Sequence, residues 1–259
     1  LLTPERSLVT VLTSATARML DVWRLVMESD GTVVITLPGR GVATTRYLQS
    51  RIFFMDKVTV ADASGDYVQF ELFGPAAPDL LHNLGLDTLP DPDETIEVLL
   101  NCTENEIPLR LIGLPGPLGP EYLLITPTHQ AECLTDTLLD LDAVELPEDT
   151  YEILRIEAGL PGPQHELTDD YTPLEINLKT AVSNSKGCYT GQEVIARQIT
   201  YDKVTRELVG LTLDDIAYPG TAVNVEGRKV GTITSMVDSP SFGTIALAVV
   251  KRPHNTPGT

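Results

Sequence analysis

Hydrophobic and polar positions alternate with a period of two over several short stretches of this chain, and stretches of helical period separate them. Residues 32–37 (TVVITL) read as a buried strand, 39–51 (GRGVATTRYLQSR) as a helix of weaker pattern, and 57–61 (KVTVA) and 67–73 (YVQFELF) as alternating strands. Gly74 and Pro75 then introduce a short helix, AAPDLLHNL, because proline fits a first helical turn, and Gly85 stops it. A second round follows. ETIEVLL (94–100) and PLRLIGL (108–114) read as strands, GLPGPLGP (113–120) must turn, and EYLLITP (121–127) is a strand. THQAECLTDTLLD (128–140) is the next helix, with Thr126 as its cap and Pro127 at its start.

Two β-α units, each ahead of a further strand, predict an α+β fold rather than a doubly wound parallel sheet. GxGxxG is absent, and GRG at 39–41 has the wrong spacing for a dinucleotide fingerprint. If YEILRIEAG is a strand, Arg155 and Glu157 share one face. Residues 159–173, rich in Pro, Gly and Asp, read as loop. From Arg206 the pattern changes to short strands (ELVGLTLD, TAVNVEG, KVGTITSMV, GTIALAVV) joined by turns, as in a small antiparallel barrel or sandwich. The expected division is a two-lobed body at 1–204 and a β domain at 205–259.

Composition narrows the classes. The chain has 259 residues, 42% apolar and 21% charged, enough for a real core. No run approaches the roughly 20 apolar residues that span a bilayer, so no membrane segment is expected. Three widely spaced cysteines argue against a disulfide framework and against a four-cysteine metal site, and a cytoplasmic setting is expected. Cys102 and Cys133 read as inert. The four histidines lack ligand spacing, so no metal site is expected. The net charge of −19 is uneven: residues 61–150 carry nineteen acidic side chains and one basic, Arg110. That segment would repel a phosphate backbone, which argues against broad nucleic-acid binding.

Candidate chemistry concentrates in KGCYTGQEVIARQ, 186–198. Gly187 and Gly191 precede an apolar helical stretch. They form either a plain loop into a helix or a loop whose free amides meet an anion or polar ring atom. Glu193 and Arg197, four apart, form a surface ion pair, or Arg197 turns toward a ligand carboxylate. Cys188, near Lys186, is either a reactive thiolate or an inert thiol. Asp21, after Met19 and Leu20, is a part-buried acid or base, or a partner of Arg18 or Arg24.

The segment KGCYTGQE resembles the signature K-G-C-[FY]-x-G-Q-E of the folate-binding iron–sulfur maintenance proteins, relatives of the glycine-cleavage T-protein. RIEAGLP (155–161), TPLEINL (172–178), AVSNSKGCY (181–189), ARMLDV (17–22), KVGTITSM and GTIALAVVKR resemble the wider T-protein pattern, so the likeness covers nearly the whole chain. It implies a T-protein-like lobed architecture with ferredoxin-like βαβ elements and a C-terminal antiparallel β-barrel. It also implies tetrahydrofolate or another reduced folate as cofactor. The implied role is accessory, in assembly or repair of iron–sulfur enzymes, with iron–sulfur proteins or a redox partner beside folate. Among site residues it implies Glu175 as acceptor of two N–H groups from the amidine-like pterin edge. Arg197, Arg155, Glu157, Lys186 and Tyr189 are implied as further folate contacts, and Cys188 and Asp21 as the chemically active groups. Members of the family carry another β-α segment ahead of the position of Leu1, so this chain is expected to lack an N-terminal segment. The T-protein has paired glycines and a double aspartate where this chain reads TARMLDV (16–22). That departure points away from aminomethyl transfer. It puts the iron–sulfur reading first, a folate-dependent aminomethyltransferase second, and a scaffold with a decayed folate site third.

Overall fold

The computed structural model describes residues 2–29, 31–102, 105–256 and 258, without the side chains of Cys102 and Asn105. The expectation for Cys102 therefore lies outside the described residues. The chain divides into two compact units, Leu1–Leu8 with Arg24–Leu146, and Val9–Trp23 with Pro147–Thr259. Strands β1 (Leu8–Thr13) and β2 (Met19–Met27) run through the boundaries.

In the first unit, β4 (Tyr67–Phe73), β5 (Thr95–Cys102), β6 (Asn105–Leu114) and β7 (Glu121–Pro127) form an antiparallel sheet in the order β4-β7-β6-β5. Helices α2 (Ala77–Asn83) and α3 (Ala131–Asp140) supply Leu80, Leu81, Leu134 and Leu138 to one core with Leu100, Leu109, Leu111 and Leu124. Period-two alternation puts Phe70 and Leu72 of β4 against that core, while Gln69 and Glu71 stand on the other face, exposed. Helix α1 (Gly41–Gln49) matches the weaker helical pattern.

Two expectations in this unit need correction. TVVITL is no buried strand: β3 (Thr32–Ile35) pairs with Arg24–Met27 and leaves Thr32 and Val33 exposed. Residues 57–61 form no strand at all, and Val58 is exposed. Alternation becomes a strand only when a neighbour accepts its backbone hydrogen bonds, and KVTVA has no ladder partner among the described residues.

In the second unit, β8 (Arg206–Thr212), β9 (Ala222–Val225), β10 (Arg228–Ser239) and β11 (Gly243–Lys251) form an antiparallel sheet in the order β8-β11-β10-β9. Strand β11 is buried on both faces. Ala246, Ala248 and Val250 pack with Val230 and Ile233, whereas Leu247 and Val249 pack with Met19, Ile156 and Ile176. This explains its unbroken apolar run.

YEILRIEAG is a helix, not a strand: α4 spans Glu148–Glu157. Glu148 and Asp149 lie in its first turn and Arg155 in its last, so both ends complement the helix dipole. These end signals outweigh the short alternation. Two residues apart on a helix, Arg155 and Glu157 point roughly 200° apart and cannot share a face. Helix α5 (Gln192–Thr200) starts where the glycines predict.

Candidate functional site

The second unit holds most of the residues singled out from the sequence. Glu175 ends the turn TPLE and accepts the Thr172 amide at 2.9 Å. Arg206 grips the same carboxylate from the start of β8, with Nε 2.7 Å from Oε1 and Nη2 3.2 Å from Oε2. Arg18 lies 3.5 Å from Oε2. Both guanidinium groups also donate to the Asp170 carbonyl, at 2.6 Å and 2.9 Å. The hydrogen bond it donates to Glu175 holds the Arg206 pKa above its ordinary value, and burial pushes the neighbouring Tyr171 phenol up. Both oxygens of Glu175 are therefore engaged with protein donors.

Asp21 on β2 is 2% exposed. Its Oδ1 accepts the Val22 amide and its Oδ2 the Trp23 indole N–H, each at 2.9 Å. A few residues away, the turn 14–18 meets the end of the KGCYTG loop. Gly191 has φ of +84° and starts α5, and a Cβ there would come within 2.6 Å of the Ser14 carbonyl oxygen. Only glycine satisfies both constraints. Thr13 adds a 2.5 Å hydrogen bond to the Thr190 carbonyl.

Within that loop Cys188 is an exposed free thiol. The Lys186 ammonium sits 4.7 Å from the Tyr189 ring centroid, a cation–π contact. Burial raises the Tyr189 phenol pKa. A cavity of about 10 Å³ lies beside Tyr189, lined also by Thr13, Pro173, Ser183 and Ile195. That is room for one water molecule and not for a pteridine. Arg197 is exposed and pairs with Glu193 at 2.7 Å.

Arg155 is 1% exposed and spends five N–H bonds inside the unit, on Glu152 (twice), the Leu160 carbonyl, Glu166 and Ser235. Glu166, missed in the sequence, is fully buried and accepts from the Gly162 amide at 2.8 Å and Ser235 Oγ at 2.7 Å. Glu157, on the other side of α4, accepts from Ser239 and borders an open cleft of about 260 Å³ with Gly210, Thr212 and Phe242.

The first unit holds a carboxyl that sequence reasoning also missed. Glu121, at the start of β7, is 9% exposed, and no protein donor reaches its Oε2. A Cβ on Gly116 would fall 1.2 Å from that oxygen, so the turn 113–120 packs onto it by virtue of lacking a side chain there. Desolvation, then the hydrogen bond and charge of Glu71, push its pKa up to about 7 against the opposing pull of Arg24. The available signal was one acid opening an otherwise apolar strand, EYLLITP. Among the described residues no three His, Cys, Asp or Glu side chains group as metal ligands, and no helix is long and apolar enough to cross a membrane. The expectation against disulfides is corrected at Cys133, which is disulfide-bonded.

The fold is α+β, ending in an antiparallel sheet that matches the barrel domain of the T-protein. Residues 5–186 match the GCVT N-terminal domain, and residues 206–259 match the glycine cleavage T-protein C-terminal barrel domain. The chain belongs to the glycine cleavage T-protein family. It is similar to a chloroplastic protein of Arabidopsis thaliana named as a transferase, with 30% identity over 246 residues, 94% of this chain and 56% of that protein. It is also similar to the aminomethyltransferase of Symbiobacterium thermophilum, with 30% identity over 79% of this chain and 57% of that protein. The crystal structure of glycine cleavage system aminomethyltransferase T from Bartonella henselae superposes with a TM-score of 0.79 at 23% identity, covering 97% of this chain and 69% of that one. That likeness shows the fold. The chain spans 56% to 57% of the length of these two curated relatives.

Two expectations fall with these findings. The chain is not assigned to the iron–sulfur maintenance proteins, because the matched family is the T-protein's and its named relatives are aminomethyltransferases. Nor is the N-terminal domain missing, since its family model matches from residue 5. The signature KGCYTGQE is short, whereas the T-protein match spans both domains.

Proposed function

We propose that this protein is a folate-dependent aminomethyltransferase of the glycine cleavage type, acting on tetrahydrofolate. Family membership supports the reaction class. The observation that carries ligand recognition is Glu121. A pterin edge offers two adjacent N–H donors and calls for a carboxylate with unspent acceptors. Glu175 has spent its oxygens on Thr172 and Arg206, whereas Glu121 keeps a buried oxygen without a donor. In its ionised form Glu121 accepts that edge once the turn 113–120, which covers its oxygen, moves aside.

In the second unit, Asp21 is a nearly buried carboxylate oriented by Val22 and Trp23. A folate contact by Glu175 would require it to exchange Arg206 for the ligand. The test is calorimetric titration of the full chain with tetrahydrofolate, beside an aminomethyl-transfer assay. Glu121→Gln is expected to weaken binding about 10- to 100-fold, as loss of a desolvated charged acceptor does. Equal affinity of Glu121→Gln and the parent protein rejects the role of Glu121.

A further inference from the structure

Strand β8 lies at one edge of the second unit's sheet, with β11 on its inner side. In an antiparallel ladder the N–H and C=O of alternate residues point away from the partner strand. The Leu208 amide donates to the Glu175 carbonyl at 2.8 Å, and the Leu208 carbonyl accepts from Asn177 at 3.2 Å, so Leu208 faces outward. Gly210 and Thr212 face outward by the same alternation, and the Leu213 amide, out of step with them, returns to Thr244 of β11 at 2.9 Å. The chain thus covers its own edge at Leu208 and then leaves it. Gly210 and Thr212 are exposed, and no backbone partner reaches their outward groups among the described residues.

That free edge borders the open cleft of about 260 Å³. Leu208 packs with Ile156 of α4, so the side-chain positions of Leu208, Gly210 and Thr212 share the sheet face that α4 covers. Gly210 has no side chain there, and a Cβ at that position would meet nothing within 4 Å. Ile156, Ile245 and the exposed Phe242 ring supply apolar wall. Glu157 supplies charge. The Ser241 and Phe242 amides both donate to Ser239 Oγ at 3.0 Å, which leaves the hydroxyl proton for Glu157 Oε1. The second oxygen of this oriented carboxylate has no hydrogen-bond or ion-pair partner among the described residues. It calls for a cation.

We propose that the free edge of β8 binds an extended peptide segment of a partner protein by strand addition, with a lysine or arginine opposite Gly210 entering the cleft toward Glu157. A residue paired with Gly210 in an added strand projects its side chain to the same face as the cleft. The aliphatic stem of a basic side chain covers Ile156 and Ile245, and its head meets Glu157 beside the Phe242 ring. A small free amine would leave the backbone edge unused. A second copy of this chain pairing through the same edge would bring Gly210 or Thr212, and no cation, to the cleft. This inference is independent of the folate reading.

The test is NMR titration of the full chain, nitrogen-15 labelled at glycine and threonine, with the peptide acetyl-Val-Thr-Lys-Thr-Val-amide. Saturable shifts of the Gly210 and Thr212 amides are expected, with a Kd of about 1 mM. A peptide with glutamate in place of lysine is expected to bind about 10-fold more weakly. Gly210→Val fills the cleft without a clash, at a strand position that suits valine, and is expected to fold and to lose binding. Glu157→Gln, the second variant, keeps an acceptor for Ser239 and is expected to bind the two peptides alike. No saturable shift by about 10 mM peptide overturns the proposal. So do equal binding by a folded Gly210→Val protein, equal affinity of the parent protein for the two peptides, and binding of n-butylamine as tight as that of the lysine peptide. A dimer that Gly210→Val dissociates assigns the edge to a second copy and overturns it as well.

Discussion

Arg206 closes on Glu175 through its Nε–Nη2 edge, at 2.7 Å and 3.2 Å, and so ties the first residue of β8 to the turn TPLE thirty-one residues earlier. The carboxylate is nearly buried, while the guanidinium is about one third exposed and stacks on Tyr171 at 5.1 Å. Substituting Glu175 by Gln removes the charge but keeps one acceptor. A loss of about 1–3 kcal/mol in unfolding free energy is expected, read by urea denaturation. If Glu175 acts on ligand alone, stability stays unchanged and only affinity moves.

Arg155 makes a sharper case. Truncation to Ala leaves Glu166 buried with its charge uncompensated, an outcome that costs about 3–5 kcal/mol for a buried pair. Thermal unfolding of Arg155→Ala is expected at a markedly lower temperature than that of Arg197→Ala, whose Glu193 partner is in solvent. Similar midpoints for the two variants contradict this assignment.

Stability also depends on pH through Glu121. Its pKa rises on folding from 4.5 to about 7, so between those values the native state binds the proton more tightly than the unfolded chain. The stabilisation from this group is full below pH 4.5 and is lost as pH rises through about 7. Solvent reaches the pair through Glu71, so a contribution of about 1–2 kcal/mol is expected. The Glu121→Gln protein is expected to show a flatter stability profile from pH 5 to 8. An unchanged slope counts against the raised pKa.

Cys188 is exposed and its thiol is free. Native protein is expected to take up iodoacetamide at Cys188 without prior unfolding, followed by mass spectrometry. Labelling that requires denaturant contradicts the exposed placement.

The strands that form ladders were legible in the sequence because alternation and turn residues agreed. YVQFELF, EYLLITP and the four C-terminal strands show this. KVTVA carries the same alternation without a partner strand, and alternation alone does not reveal which neighbour exists. YEILRIEAG is compatible with a strand when taken alone, and only the acidic turn before it, with Arg155 in the last turn, sets helix α4. At the candidate site, Gly191 was legible from its place before a helix. Glu175 was legible through the resemblance as a ligand-contacting acid, but not the partner that occupies it, since Arg206 is far away in sequence. Glu121 and Glu71 meet only through the β4–β7 register, which no local pattern encodes.

The central claim is tested most directly by calorimetric titration of the full chain with tetrahydrofolate at pH 8, comparing the parent protein with Glu121→Gln. At that pH the parent carboxyl is mostly ionised, so the comparison isolates its charge. The account predicts measurable binding by the parent and about 10- to 100-fold weaker binding by the variant, with both proteins folded. Equal affinities, or no binding by the parent, would contradict it.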